Sequence, residues 1–216
     1  MSTRQLTSFD RWMAAAQRGL EVALAPEPPA NRPSPSPAPG QGDTPLQGVD
    51  RAHAAGLMRV NHAGEVAAQA LYRGQASVTR DPQLRSHLLE AAIEEQDHLA
   101  WCAQRLRELD SHPSRLGPFW YAASYGIGAL AGRVSDRVSL GFVSETERQV
   151  EEHLHTHMDR LPPDDVRSRA IVAQMSADEA EHGAAARAAG GVELPGPVRL
   201  TMRAVAKVMT SLAYWF

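Results

Sequence analysis

From about residue 50 onward, apolar residues recur at three- and four-residue intervals with almost no two-residue alternation. That is the period of helices and not of strands. Four long periodic segments stand out, at about 50–78, 82–110, 136–160 and 164–189, with a shorter one at 197–215. Asp81-Pro82 and Leu161-Pro162-Pro163-Asp164 are turn and helix-start sequences, since Pro is tolerated in a first turn. Gly190-Gly191 is a helix stop after the fourth segment. The pattern predicts an all-α four-helix bundle with additional amphipathic helices. Upstream, residues 5–24 have Phe9, Trp12, Met13, Leu20 and Leu24 as the apolar members of a short amphipathic helix. Pro26 to Gly48 is too rich in Pro for helix or ladder and reads as a flexible, extended, solvated linker. The chain thus divides into a helix within 1–25, a linker at 26–48 and a globular domain at 49–216.

The helical stripes are interrupted by acids and histidines in a repeated order. Glu65 is followed 30 residues later by Glu95-Gln96-Asp97-His98, and Glu147 is followed 32 residues later by Glu179-Ala180-Glu181-His182. Positions three, four and seven residues apart share a helix face. On that rule Glu65 lies with Met58, Ala68 and Tyr72, and Glu95 with Leu88, Ala91, Leu99 and Cys102. Glu147 lies with Leu140, Val143, Val150 and Leu154, and Glu179 with Val172, Met175 and Ala186. A carboxylate on an apolar face is costly unless a cation neutralises it. One lone Glu on each of two helices and an E-x-x-H on each of the other two is the donor set of a dimetal carboxylate centre. Glu65, Glu95, His98, Glu147, Glu179 and His182 are therefore candidate metal ligands, with Glu95 and Glu179 as bridges. Four carboxylates balance two divalent ions. Carboxylate and imidazole without thiolate suits iron or manganese, and iron if dioxygen is to be activated. The bland alternative is a buried ion-pair cluster. A third pair, Glu152 and His155, lies off the apolar stripe and reads as solvated. Metal-bound imidazoles usually donate their second N–H to a carboxylate or carbonyl. Asp97, Asp178, Glu94 and His153 are candidates to stand behind the ligands.

Composition narrows the partners. The net charge is −3 and no basic block is present, so nucleic-acid binding has no electrostatic support. With one cysteine, Cys102, the chain can build neither an internal disulfide nor a cysteine-ligated zinc or iron–sulfur site, which fits a reduced intracellular compartment. No secretory signal pattern opens the chain, and no uncharged apolar run reaches the roughly 20 residues of a spanning helix. Two segments nonetheless look greasy. Between Arg115 and Arg133 no charge occurs, and the run with its four glycines reads either as a core connection or as a membrane-contacting mouth. Residues 197–216 place Arg199, Arg203 and Lys207 four residues apart beside Leu200, Val205, Val208, Met209, Leu212, Trp215 and Phe216. A basic amphipathic helix ending in aromatics suits a membrane interface, or alternatively packing on its own bundle.

The run Arg59-Val60-Asn61-His62-Ala63-Gly64-Glu65, continued by Leu71-Tyr72-Arg73-Gly74-Gln75, resembles the di-iron demethoxyubiquinone hydroxylases of ubiquinone biosynthesis. So do Glu95–His98, Gly117-Pro118-Phe119-Trp120, Glu147 through His153, and Glu179–His182. The resemblance runs from about Arg51 to the C-terminus. It implies a ferritin-like fold, two iron ions per chain on the same six residues, and a site role for His153. Many relatives have Tyr after that histidine, where this chain has Leu154. The implied reaction inserts one oxygen atom of dioxygen into the ring of a demethoxyubiquinol. Its substrate carries a polyprenyl tail in the bilayer, which implies a peripheral enzyme on the cytoplasmic side of the cell (inner) membrane. Ubiquinone-biosynthesis proteins, or further copies of the chain, are the partners it suggests. Two other readings stand beside it. One is a ferroxidase or rubrerythrin-like metal-handling protein, although one cysteine cannot supply the four-cysteine iron site of typical rubrerythrins. The other is a non-catalytic helical membrane adapter.

Overall fold

The computed structural model describes Gln17, residues 29–38, Gly40 and residues 45–216. The helix expected within 1–25 lies outside the described residues, Gln17 apart. Six helices follow in order: α1 Gly48–Val78, α2 Pro82–Glu108, α3 Gly117–Val134, α4 Asp136–Arg160, α5 Val166–Ala188 and α6 Gly196–Ala213. Among the described residues there is no strand. Local chemistry sets the ends. The Asp81 carboxylate accepts from the Gln83 amide at 2.8 Å, with Pro82 in the first turn of α2. Ser135 caps α4 through the Val138 amide, and Asp165 caps α5 through the Ser168 amide. Gly190, at φ +99°, ends α5 in the left-handed conformation.

Helices α1, α2, α4 and α5 are the four long periodic segments, and they form the bundle. Helix α1 lies along α2, and α4 lies along α5. The α2/α5 and α1/α4 seams are thinner, and α3 packs on α1 and α4 at the second of them. Two apolar plugs fill the interior. One joins Leu57, Met58, Trp101, Leu106, Leu154 and Met175. The other joins Tyr72, Leu88, Ala92, Leu140, Val143 and Ala186. On each of the four helices, the candidate ligands fall between the residues of one plug and those of the other. The site is a polar layer held between two dry ones.

The uncharged run after Arg115 is a regular helix, not a loop. Its glycines, which argue against helix on propensity, are sites of close approach. A Cβ on Gly128 would meet the Leu71 carbonyl oxygen at 2.2 Å, and one on Gly74 would meet the Tyr125 carbonyl oxygen at 2.2 Å. Backbone lies on the other side of both contacts, so no side chain can swing away. Gly74→Ala and Gly128→Ala should each destabilise the protein by at least the ~1–3 kcal/mol typical of overpacking, read as a lower thermal midpoint. Gly64→Ala, where a Cβ meets nothing within 4 Å, should not.

Helix α6 is tethered at its end. Arg59 donates to the Tyr214 carbonyl at 2.6 Å, His53 and the Tyr214 hydroxyl lie 2.7 Å apart, and Ser114 donates to the Phe216 carbonyl at 2.6 Å. Only Ala213 of the helix is buried. The outward apolar residues are Leu200, Val205, Val208 and Leu212, followed by Trp215 and Phe216. Helix α3 likewise exposes Phe119, Ile127, Leu130 and Val134. Among the described residues no helix is long and apolar enough to cross a membrane.

Residues 29–38 form neither helix nor strand and bend at Asn31-Arg32 and Pro35-Ser36, and they are not a free linker. They lie across the α2/α5 seam. The Asn31 amide donates to Asp97, Trp101 donates to the Arg32 carbonyl, and Arg167 donates to Ser36 and to the Pro37 carbonyl. Ala30 and Leu46 pack against the first apolar plug.

Candidate metal centre

The four bundle helices bring all six candidate residues into the polar layer: Glu65 from α1, Glu95 and His98 from α2, Glu147 from α4, and Glu179 and His182 from α5. The four carboxylates are 0–2% exposed. Each E-x-x-H pair is one helical turn, so its Glu and His share a face. The His98 Nδ1 lies 3.0 Å from Glu95 Oε2, 3.4 Å from Glu179 Oε1 and 3.5 Å from Glu65 Oε2. The His182 Nδ1 lies 3.3 Å from Glu95 Oε1 and 3.6 Å from Glu179 Oε2. Glu95 and Glu179 each face both imidazoles, with one oxygen toward each. Glu147 lies beside Glu179, whose charge opposes its ionisation.

Both imidazoles turn their Nε2 outward to an acid. His98 Nε2 is 2.8 Å from Asp178 Oδ2, and His182 Nε2 is 2.8 Å from Glu94 Oε2. Asp178 and Glu94 thus occupy the positions expected of acids behind ligands. Asp97 does something else: it binds the Asn31 amide and Arg32. The His153 ring packs at a tilt against His157, their centroids 3.9 Å apart, and its Nε2 is buried without a hydrogen-bond partner. Burial, helped by Arg160, pushes the His153 pKa down to about 4. Cys102 is a core thiol, its Sγ 3.7 Å from the Met175 sulfur. Glu152 is on the surface, ion-paired with Arg148 and Arg203.

The electrostatics of the layer follow from its burial. Burial pushes Glu65 well above the carboxylate range, with His98 pulling the other way. Burial and repulsion from Glu179 push Glu147 well up. Burial also acts to raise Glu95, but the facing His182 and His98 imidazoles outweigh it and hold the group far below the usual range. Glu179 is lowered in the same way, by His182, His98 and Glu147 against burial and the Glu95 charge. For the histidines, burial acts downward. Four surrounding carboxylates, Asp178 first, reverse that and push His98 well up, and Glu179 and Glu95 push His182 up to about 12.

A metal fits these donors. Glu65, Glu95, His98 and Glu179 place one ligand atom each within 4.8 Å of one another. Glu65 Oε2, Glu95 Oε1, Glu179 Oε2, His182 Nδ1 and both oxygens of Glu147 are buried without a hydrogen-bond partner. Buried polar atoms normally find one, and a hard cation satisfies several oxygens and an imidazole at once. A cavity of about 70 Å³ adjoins the His182 end, lined by Tyr72, Leu88, Glu94, Leu140, Val143 and His182 among others. That is several times the ~10–15 Å³ which one water needs by the same measure. The Tyr72 hydroxyl is buried there without a partner.

The neighbours of the site were only partly readable in advance. The pairing of Asp178 with His98 follows from their helix faces once α2 and α5 are adjacent. Arg32, which bonds Asp97 and Asp178, lies 65 and 146 residues from them and carries no local signal.

An all-helical bundle around a buried layer of four glutamates and two histidines has the ferritin-like architecture, with a carboxylate and imidazole cluster that could hold metal. The chain belongs to the family of the ubiquinone biosynthesis protein COQ7, whose model matches residues 52–213. It is 56% identical over 215 residues to a 3-demethoxyubiquinol 3-hydroxylase of Ralstonia pickettii (strain 12J), covering 95% of this chain and 99% of that one. Enzymes of the same name from Paraburkholderia xenovorans (strain LB400) and Xanthomonas axonopodis pv. citri (strain 306) are similar. The first is 62% identical over 170 residues, covering 79% of this chain and 80% of that one. The second is 54% identical over 215 residues, covering 98% and 96%.

Proposed function

We propose that this chain is a 3-demethoxyubiquinol 3-hydroxylase of ubiquinone biosynthesis, using two iron ions held by Glu65, Glu95, His98, Glu147, Glu179 and His182. The observation that carries the reading is the buried layer itself: four inward carboxylates and two inward imidazole nitrogens, partly unpartnered, in a chain of this family. When bound, a redox-active metal pair supplies the electrons that dioxygen chemistry requires. The protein residues do the rest. Glu95 and Glu179 each span the two half-sites. Asp178 and Glu94 fix the ring orientation of the two histidines. The apolar plugs exclude water. One oxygen atom of dioxygen becomes a ring hydroxyl in place of a C–H bond, and the other leaves as water, with two electrons and two protons from a reductant. Iron-loaded protein given reductant, ¹⁸O₂ and a short-tailed demethoxyubiquinol should yield a product that carries one ¹⁸O atom. Unlabelled product, or none, contradicts the reading.

A storage or ferroxidase role gives no reason for the exposed apolar faces of α3 and α6, whereas a substrate dissolved in lipid does. We assign those faces to a peripheral contact with the cytoplasmic side of the cell membrane.

Metal uptake should be coupled to protons. Two divalent ions need all four carboxylates ionised and both imidazoles neutral. Glu65, Glu147, His98 and His182 all have raised pKa values and must give up any proton they hold, so acid opposes uptake and rising pH favours it. Calorimetry in buffers of different ionisation enthalpy should show net proton release on metal binding, with affinity falling as pH is lowered. Uptake with no proton release would contradict this assignment.

A further inference from the structure

The α2/α5 seam is closed in two different ways along its length. Toward His182 it is the small cavity, beside Glu94, which is 58% exposed. Toward His98 it is covered by residues 29–38, and His98 is fully buried. Arg32 sits at the centre of that cover. Its Nε is 2.9 Å from Asp97 Oδ2 and one terminal nitrogen is 2.7 Å from Asp178 Oδ2, the oxygen that also meets His98 Nε2. The same nitrogen is 3.5 Å from His98 Nε2. Its guanidinium lies over the Trp101 ring at 4.9 Å, and that ring is tilted against His98 at 5.4 Å. The backbone is pinned as well, by the Asn31 amide on Asp97 Oδ1 at 2.6 Å and by Trp101 Nε1 on the Arg32 carbonyl at 3.3 Å. Further along, Arg167 holds Ser36 and Pro37. Prolines at 33, 35 and 37 limit the chain to extended conformations before it docks, which lowers the entropy lost on docking.

We propose that residues 29–38 are a strap that seals the α2/α5 seam over His98, with Arg32 as a positioning residue that clamps Asp97 and Asp178 together and so fixes the carboxylate orienting the His98 imidazole. The inference rests on His98 being a metal ligand. A planar guanidinium can hold two carboxylates in a set geometry, which a lysine cannot. The strap makes the two half-sites unequal: the imidazole on the strap side is locked from behind, and the His182 side is left beside the cavity.

The test uses the full chain loaded anaerobically with two ferrous ions, and follows iron transfer to an excess of a ferrous chelator. Wild type should release iron in two phases. Arg32→Ala should accelerate the slower phase roughly 10- to 100-fold, the range seen when the outer partner of a ligand is lost, and leave the faster phase nearly unchanged. Arg32→Lys should fall between the two. Asp178→Asn should reproduce the effect, and Arg32→Ala combined with Asp178→Asn should be no faster than Asp178→Asn alone. Wild-type rates in Arg32→Ala, or additive effects in the double variant, would overturn the proposal. Hydrogen exchange at the Asn31 amide in the full wild-type chain, with or without iron, gives a reading independent of any variant. Strong slowing is expected, and exchange at the free-peptide rate would show that the strap is not docked. Were the wild-type chain to take up no iron, the metal reading itself would fall, and the Asn31 exchange would still decide whether the strap is docked.

Discussion

Glu95→Ala and Glu179→Ala should each strip the protein of bound iron and of hydroxylase activity, while Glu152→Ala should keep both. Glu95 and Glu179 each face both imidazoles, so losing either one removes a donor from both half-sites at once. The remaining acids cannot replace it, since Glu65 and Glu147 enter from other helices. Iron content should fall from two per chain toward none. Activity should fall more than the roughly 10–100-fold cost of losing the outer partner of a ligand. Glu152 belongs to the third E-x-x-H, but it is a surface residue paired with Arg148 and Arg203. Exposed pairs of this kind are worth about 0–1 kcal/mol. Full iron content in Glu95→Ala would remove the bridging assignment.

Replacing Leu200, Val205 and Val208 together by Asp should abolish sedimentation with anionic vesicles while the bundle and its iron survive. All three project from the exposed side of α6, and α6 buries only Ala213. Even at half the ~1.5–3 kcal/mol of full burial for each side chain, the three account for a loss of binding of about 50-fold or more. Neutralising Arg199, Arg203 and Lys207 to Gln should cost less than the ~1 kcal/mol per cation of a free basic residue near an anionic surface. Two of those cations are already engaged, Arg199 with Glu193 and Arg203 with Glu152. Activity on a short-tailed soluble quinol should persist in the apolar triple variant, and activity on a long-tailed quinol in vesicles should fall. Undiminished sedimentation would show that α6 is not the anchor, and the exposed side of α3 would inherit that role.

The helices were readable because periodicity, caps and stops agree. The expected segment at 82–110 is the helix Pro82–Glu108, and that at 164–189 is Val166–Ala188. The convergence of the six candidate residues in one layer was readable because a buried bundle site must lie on the apolar stripes, and an E-x-x-H places its Glu and His one turn apart. What escaped depends on tertiary contact. The glycines of α3 lower helix propensity, yet Gly128 is what lets α3 approach the α1 backbone. The proline run at 29–38 reads as an extended, solvated linker, whereas the segment is bent and docked. Whether an extended segment floats or docks is set by what it meets, here Asp97, Trp101, Asp178 and Arg167, which are far away in sequence. His153 lies one residue before the apolar stripe that carries Glu147 and Leu154, and it pairs with His157, whose pKa burial drives to about 2.

The most direct measurement is the quinone profile of a host from which this protein has been removed. The account predicts accumulation of the demethoxyubiquinone precursor and loss of ubiquinone. Wild type should reverse both, and Glu179→Ala expressed at the same level should reverse neither. A normal ubiquinone content without the protein, or full rescue by Glu179→Ala, would contradict it.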